Sequence, residues 1–309
     1  IGIQIFAVIY YKSLVEVFLF SCYAALTVFI FELFLFKKLF KSIYFSFFLI
    51  NNKTFKEIFH FGFWTWIYSC LSIFSQQIDK IIVVKLTNTT VLGYYSIAYF
   101  IFNNLHALLS TSISWIFPKI SRLKELKMNI KSIYYKSQMI LTIIGTSIIL
   151  FIYFFNELIL TSWIDREVYL NTHEYIELFL ISNLLLLITI VPYYYLNATG
   201  YVKINTVLKL IGVILTIVSM FIFNSFIGIY GIIIARAISP LVMGIISRNY
   251  VESKCFNQPT LINGFQMLIP LLLVISCIFL YAYSLVSFNL TILNFVLIFF
   301  SFYLFFFRK

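Results

Sequence analysis

Charge is what this sequence has least of. Asp, Glu, Lys and Arg make up 11% of its 309 residues, against about 25% in ordinary soluble domains. Hydrophobic residues make up 62% and aromatic residues 20%, with a mean hydropathy of +1.00. No soluble fold hides that much apolar surface, so the composition points to an all-α, polytopic transmembrane protein. Aspartate is scarcer still. Asp79 and Asp165 are the only two and stand far apart, which leaves no obvious place for an enzyme that needs paired aspartates. The four cysteines, Cys22, Cys70, Cys255 and Cys277, form no CxxC pair and are expected to be small buried hydrophobes, not a disulfide framework. His60, His106 and His173 fall on separate elements, so neither His nor Cys spacing supports a metal site. There is no GxxxxGK[ST] and no GxSxG, which removes P-loop ATP binding and the nucleophile elbow. No cofactor is implied. The first methionine is Met128, and the opening IGIQIFAVIY reads as the tail of a cut span. The chain is therefore expected to be the C-terminal part of a longer protein.

Long apolar runs fill most of the chain. After the partial span at 1–11, nine are expected at 15–36, 61–86, 91–117, 137–156, 175–196, 204–224, 230–248, 266–285 and 291–307. The basic residues sort onto this pattern. Taking alternate connections as one side places 17 of the 22 Lys and Arg there. They are Lys37, Lys38, Lys41, Lys53 and Lys56, then Lys119, Arg122, Lys124, Lys127, Lys131 and Lys136. Lys203, Lys209, Arg248, Lys254, Arg308 and Lys309 complete the set. Cytoplasmic loops carry the Lys/Arg excess, so this side and the C-terminus are expected inside. The +11 net charge is thus a topology signal and requires no nucleic acid. Trp64, Trp66, Trp115 and Trp163 fall near span ends, as an interfacial aromatic belt would. Residues 37–60 and 119–136 read as basic amphipathic connections on the inner leaflet, with docking of a cytoplasmic partner as the alternative. The largest outer loop is expected around Glu157–His173.

Two adjacent spans carry polar stripes. In Gly62–Leu86, the residues Ser69, Ser72, Gln76, Asp79 and Lys80 fall within roughly a 100° arc, with Gln77 beside them. A charge at membrane depth costs about 2.5–3.5 kcal/mol on insertion scales and normally faces protein or water. In 91–117, Tyr95, Tyr99, Asn103, His106, Ser110 and Ser114 share a similar arc. Together the two stripes read as the walls of a wet cleft, with Asp79 and Lys80 as a cavity pair. Hydrogen-bonded packing between helices uses the same residue types and is the competing account. Arg236 has two readings of equal standing: snorkelling to the interface, or facing the cavity to hold phosphate with its planar fork of donors.

The run QQIDKIIVVKLTNTTVLGYYSIAYFIFNNLHALLSTSISWIFPKISRL resembles the polysaccharide-biosynthesis (oligosaccharide flippase) family. That family lies within the multidrug/oligosaccharidyl-lipid/polysaccharide exporter superfamily. Gln77, Asp79, Lys80, Gly93, Tyr94, Phe117, Pro118 and Arg122 carry the likeness. Gly200, Lys203 and Gly231 carry a second stretch, NATGYVKINTVLKLIGVILTIVSMFIFNSFIGIYGIIIARAIS. Arg236 stands where that pattern leads one to expect a small residue.

The resemblance implies two six-helix bundles arranged as a V, with most of the first missing here. Residues 1–60 would end the first bundle and add a cytoplasmic amphipathic connection. Residues 61–248 would form the second bundle, and 249–309 two additional helices. It further implies a non-enzymatic flippase of the bacterial cytoplasmic membrane. An undecaprenyl-diphosphate-linked repeat unit, of the kind that builds O-antigen or capsule, would be its substrate, moved by alternating access. Membrane lipid and other polysaccharide-assembly proteins would be partners, and nucleic acid would not. Gln76, Gln77, Asp79, Lys80, Tyr99, Asn103, His106 and Arg236 are the expected cavity residues. A membrane glycan polymerase or glycosyltransferase is the alternative from another class, and a small-molecule exporter of the same superfamily is the third reading.

Overall fold

A computed structural model of the chain describes residues 14–39 and 51–257. The expected partial span at 1–11 and the spans at 266–285 and 291–307 lie outside the described residues, as does Cys277. The described residues fall into two compact units divided after Lys56. The first holds helix α1, Leu14–Leu39. Its apolar window has no buried side chain, as a helix presenting its surface to lipid would.

The second unit is a helix bundle. Its elements in order are α2 (Asn52–Leu86, which begins a few residues before the division), α3 (Thr89–Ser112), α4 (Ile116–Glu125), α5 (Lys131–Trp163), α6 (Arg166–Ala198), α7 (Val202–Ile227) and α8 (Ile229–Tyr250). A single π turn, Val251–Cys255, follows. There are no strands among the described residues. Six helices, α1, α2, α5, α6, α7 and α8, are long and apolar enough to cross a membrane. With this architecture the chain is a polytopic helical membrane protein. The helix α3, 24 residues long, is not among the six. Its Asn103, Asn104 and His106 lower its apolar character.

Three boundaries depart from expectation. The expected span 91–117 ends early, at Ser112, and a short turn leads into the separate helix α4. Pro118 is the cause. A continuous helix would press its ring against the carbonyl of Ser114 and lose one backbone bond. A tight turn with i→i−3 bonds from Ile113, Ser114, Ile116 and Phe117 joins the two helices instead. This leaves Pro118 in the first turn of α4, where a missing N–H costs nothing. Second, the expected outer loop at 157–173 is helical almost throughout. Only Ile164 and Asp165 separate α5 from α6, and the Asp165 carboxylate accepts the Arg166 N–H at 2.6 Å. Third, residues 52–60 are not a surface connection but the first turns of α2, and residues 131–136 begin α5. Cys22 and Cys70 are exposed rather than buried. On a lipid-facing surface an apolar thiol needs no core to cover it.

α6 is the central element, packing against α3, α4, α5, α7 and α8. α2 is not among the closely packed helix pairs. Side chains tie it to the others instead. Near one end Thr206 Oγ1 donates to the Trp64 carbonyl at 3.0 Å, and higher up Asp79 bonds to groups on α3 and α8.

The α7–α8 turn depends on glycine twice. Gly228 has φ 60° and ψ −138°, a conformation closed to side chains. Three residues on, a Cβ at Gly231 would sit on the backbone carbonyl of Phe223. Gly231→Ala is expected to cost at least ~1–3 kcal/mol, as overpacking does. The check is a lower midpoint of thermal unfolding for the purified variant in detergent.

Candidate functional site

Five helices of the bundle, α2, α3, α6, α7 and α8, line a partly open cavity of about 370 Å³. Each contributes a residue every three or four positions, the spacing of one helix face. From α2 come Tyr68, Ser72 and Ser75; from α3, Phe102, His106 and Ser110; from α6, Thr189, Tyr193 and Tyr194. α7 supplies Asn205, Lys209, Gly212 and Thr216, and α8 supplies Arg236, Ser239, Met243 and Ser247. On α3 and α6 these positions lie in the half nearest the 113–130 and 199–201 connections, whereas on α7 and α8 they run past the middle to Thr216 and Arg236.

The upper end of the cavity is built around a buried ion pair. Asp79 is completely buried. Its Oδ2 accepts bonds from Arg236 Nε at 2.8 Å and Nη2 at 2.5 Å, and from the Tyr95 hydroxyl at 2.6 Å. Arg236 Nη2 also donates to the Ser75 carbonyl at 2.8 Å. The guanidinium lies against the Tyr99 ring, 4.9 Å from its centroid, a cation–π arrangement. Three groups on α2 and α3 thus fix Arg236, which projects from α8. The side chain lines the cavity.

Lys209 is the second cation. It sits two turns inside α7, half-buried, with its ammonium 5.8 Å from the centroid of Tyr68. No carboxylate pairs with it among the described residues, and no Asp or Glu lines the cavity. The lower end is aromatic and hydroxylic. Tyr68 and Tyr193 stand 5.1 Å apart, and the Tyr194 hydroxyl donates to the Ser110 carbonyl at 3.0 Å. His106 Nδ1 is buried there without a partner.

The structure redistributes the expected site residues. His106 and Arg236 line the cavity. Asp79 does not: it is sealed behind Arg236, and its partner is Arg236 rather than Lys80. Successive helical residues point about 100° apart, so turning Asp79 into the bundle turns Lys80 aside. The Lys80 ammonium rests 5.5 Å from the Tyr99 centroid. Gln76 and Gln77 are exposed, because only one edge of the α2 stripe meets the bundle. Tyr99 is buried as the guanidinium's platform, and Asn103 is half-buried away from the cavity. Lys209 was assigned to a connection by the charge pattern and belongs to the cavity. The spacing Asn205, Lys209, Gly212, Thr216 was the signal for it. Of the two readings of Arg236, snorkelling is excluded by its bond to a fully buried carboxylate.

Comparison with known proteins adds the family. A family model described as polysaccharide biosynthesis protein matches residues 5–165. A curated protein of Shigella flexneri named "Putative O-antigen transporter" is 23% identical over 156 residues, which cover 50% of this chain and 37% of that protein. The match therefore reaches little more than a third of that relative's length. No solved structure matches. Lys209 and Arg236 lie beyond the matched stretch, whereas Asp79, Tyr95 and Tyr99 lie within it. With the family model covering over half of its length, the chain belongs to the polysaccharide biosynthesis protein family.

Proposed function

We propose that this chain is part of a flippase carrying a lipid-linked oligosaccharide across the bacterial cytoplasmic membrane. The substrate is an undecaprenyl-diphosphate-linked repeat unit of a surface polysaccharide. The observation that carries the reading is a membrane-embedded cavity with two cations, Lys209 and Arg236, and no lining carboxylate. A diphosphate is an anion that the unpaired ammonium of Lys209 suits, with Arg236, whose Nε and Nη2 are held by Asp79, adding positive charge at the upper end. The tyrosines, Ser110 and Asn205 offer hydroxyls, an amide and ring faces to the first sugars, while the lipid tail stays in the bilayer. Unpaired charge at membrane depth is expensive and marks substrate pathways. The name of the Shigella relative supports the same direction.

Six long helices between residues 52 and 250 support reading this part as one bundle of a two-bundle carrier that rocks between inward and outward openings. The Lys-rich connections support a cytoplasmic side for the lower end of the cavity and for the C-terminus. The protein is a carrier in this reading, not an enzyme, and its neighbours are the proteins that build and polymerise the repeat unit.

Deleting the complete gene is the test. The expected result is loss of surface polysaccharide with lipid-linked repeat unit accumulating on the inner leaflet, both reversed by the wild-type gene. Surface polysaccharide at normal levels, or chain elongation by the purified protein, would overturn the proposal.

A further inference from the structure

The helix α4 is pinned to the bundle along one side only. Ile116 and Ile120 are fully buried against it. Ser121 Oγ donates to the Ala198 carbonyl at 3.4 Å, and Lys124 Nζ donates to the Thr199 carbonyl at 2.5 Å. These bonds satisfy carbonyls at the end of α6 that no longer have helical partners. The opposite face presents Lys119, Arg122 and Leu126 at i, i+3 and i+7, all exposed. Trp115 and Met128, also exposed, flank them. Two Trp–Lys pairs mark the level of this end. Lys119 Nζ lies 5.5 Å from the Trp115 ring, and Lys203 Nζ lies 5.5 Å from the Trp64 ring. Tryptophan and lysine together are the residues of a bilayer interface.

The end of α4 adds an independent observation. Met128 N bonds to the Leu123 carbonyl and Lys127 N to the Lys124 carbonyl, the bond pair of a Schellman turn. The turn closing α6 has the same pair, from Tyr201 to Leu196 and Gly200 to Asn197. At α6 the left-handed position is Gly200, with φ 89°. At α4 it is Lys127, with φ 52°. Glycine is the favoured residue there and any side chain is strained. The chain keeps a lysine at that position, exposed, beside Arg122 and Lys119 on the adjoining turns.

We propose that the exposed face of α4 is a docking surface for anionic phospholipid headgroups. Lys119, Arg122 and Lys127 bind the phosphates, while Trp115, Leu126 and Met128 enter the acyl boundary. Glu125 is the one acidic residue on the helix. Clusters of Lys and Arg beside a membrane attract anionic lipid at about 1 kcal/mol each, so each charge removed weakens the preference roughly five-fold. The inference does not depend on what the cavity carries.

The full chain is to be reconstituted in phosphatidylcholine vesicles containing brominated phosphatidylglycerol, which quenches nearby indole. The readout is the Trp115 component, the difference between wild type and Trp115→Phe. Brominated phosphatidylglycerol is expected to quench it more than brominated phosphatidylcholine, and 0.5 M salt should reduce the difference. The Lys119→Gln/Arg122→Gln/Lys127→Gly variant should lose it. Lys127→Gly alone relieves the strained turn, so it should weaken the preference while leaving thermal stability equal or higher. Equal quenching by both lipids in the wild type would overturn the proposal, and so would an undiminished preference in the triple variant. A wild type indifferent to lipid charge would leave the basic face to an acidic protein instead.

Discussion

Asp79→Ala is expected to lower stability by about 3–5 kcal/mol, the effect of removing one partner from a buried ion pair. It would leave the Arg236 guanidinium, with a side chain only 10% exposed, facing Tyr95 and Tyr99 with no counter-charge. Arg236 Nε and Nη2 and the Tyr95 hydroxyl all donate to one oxygen, Asp79 Oδ2, so a single deletion removes three bonds at once. The readout is the unfolding midpoint of the purified variant, together with surface polysaccharide in cells. Stability and transport separate in the paired variant Asp79→Leu/Arg236→Met. Replacing a buried pair by apolar side chains of similar volume is often neutral or stabilising, so the midpoint should return. Transport should not, because the cavity has lost the cation at its upper end. A normal midpoint for Asp79→Ala would show that the pair holds nothing together. Restored export in the paired variant would remove Arg236 from the substrate path.

Lys209 is expected to behave in the opposite way. Lys209→Gln should reduce surface polysaccharide at least 10-fold, and Lys209→Glu should abolish it. Neither should lower the unfolding midpoint, and Lys209→Gln should raise it. A half-buried ammonium with no carboxylate partner among the described residues is a desolvated charge without compensation. Removing it relieves the fold while emptying the cavity of a positive end. Proteins often retain such residues at functional sites at the expense of stability. Lys209→Glu exporting at the wild-type rate would end the anion-cavity reading. A falling midpoint in Lys209→Gln would make Lys209 a structural residue.

Much of the bundle was readable from hydropathy. The expected spans from 15 to 248 fall on helices apart from 91–117, which takes in the break after Ser112, because a backbone in hydrocarbon has to satisfy its own bonds and the apolar runs are long. Helix ends were less legible. The ends of α5 and α6 that meet at Ile164 and Asp165 continue through Glu157 and Glu167, since charged residues are as helical as apolar ones. The break at 113–115 was written in Pro118, read at first only as part of a motif. The site was half legible. Periodicity says which way a side chain leaves its helix, and on that basis Asp79, His106 and Arg236 stood out. It does not say which helix stands opposite, so a partner 157 positions away was out of reach and the neighbour Lys80 took its place. Lys209 was missed for another reason. Counting each lysine near a span end as a loop residue sharpens the topology and hides the one that points inward.

The attachment of α2 has a mechanical corollary. Its middle turns, Tyr68 to Ser75, form one side of the chamber without close backbone packing, and polar bonds grip the rod above and below. Releasing the carboxylate at one height, or the Thr206 hydroxyl at the other, would let this rod tilt while α6 keeps its neighbours. Of the two fastenings, the one at Asp79 also fixes the cation inside, so movement of this rod and the position of the charge are tied to one carboxylate.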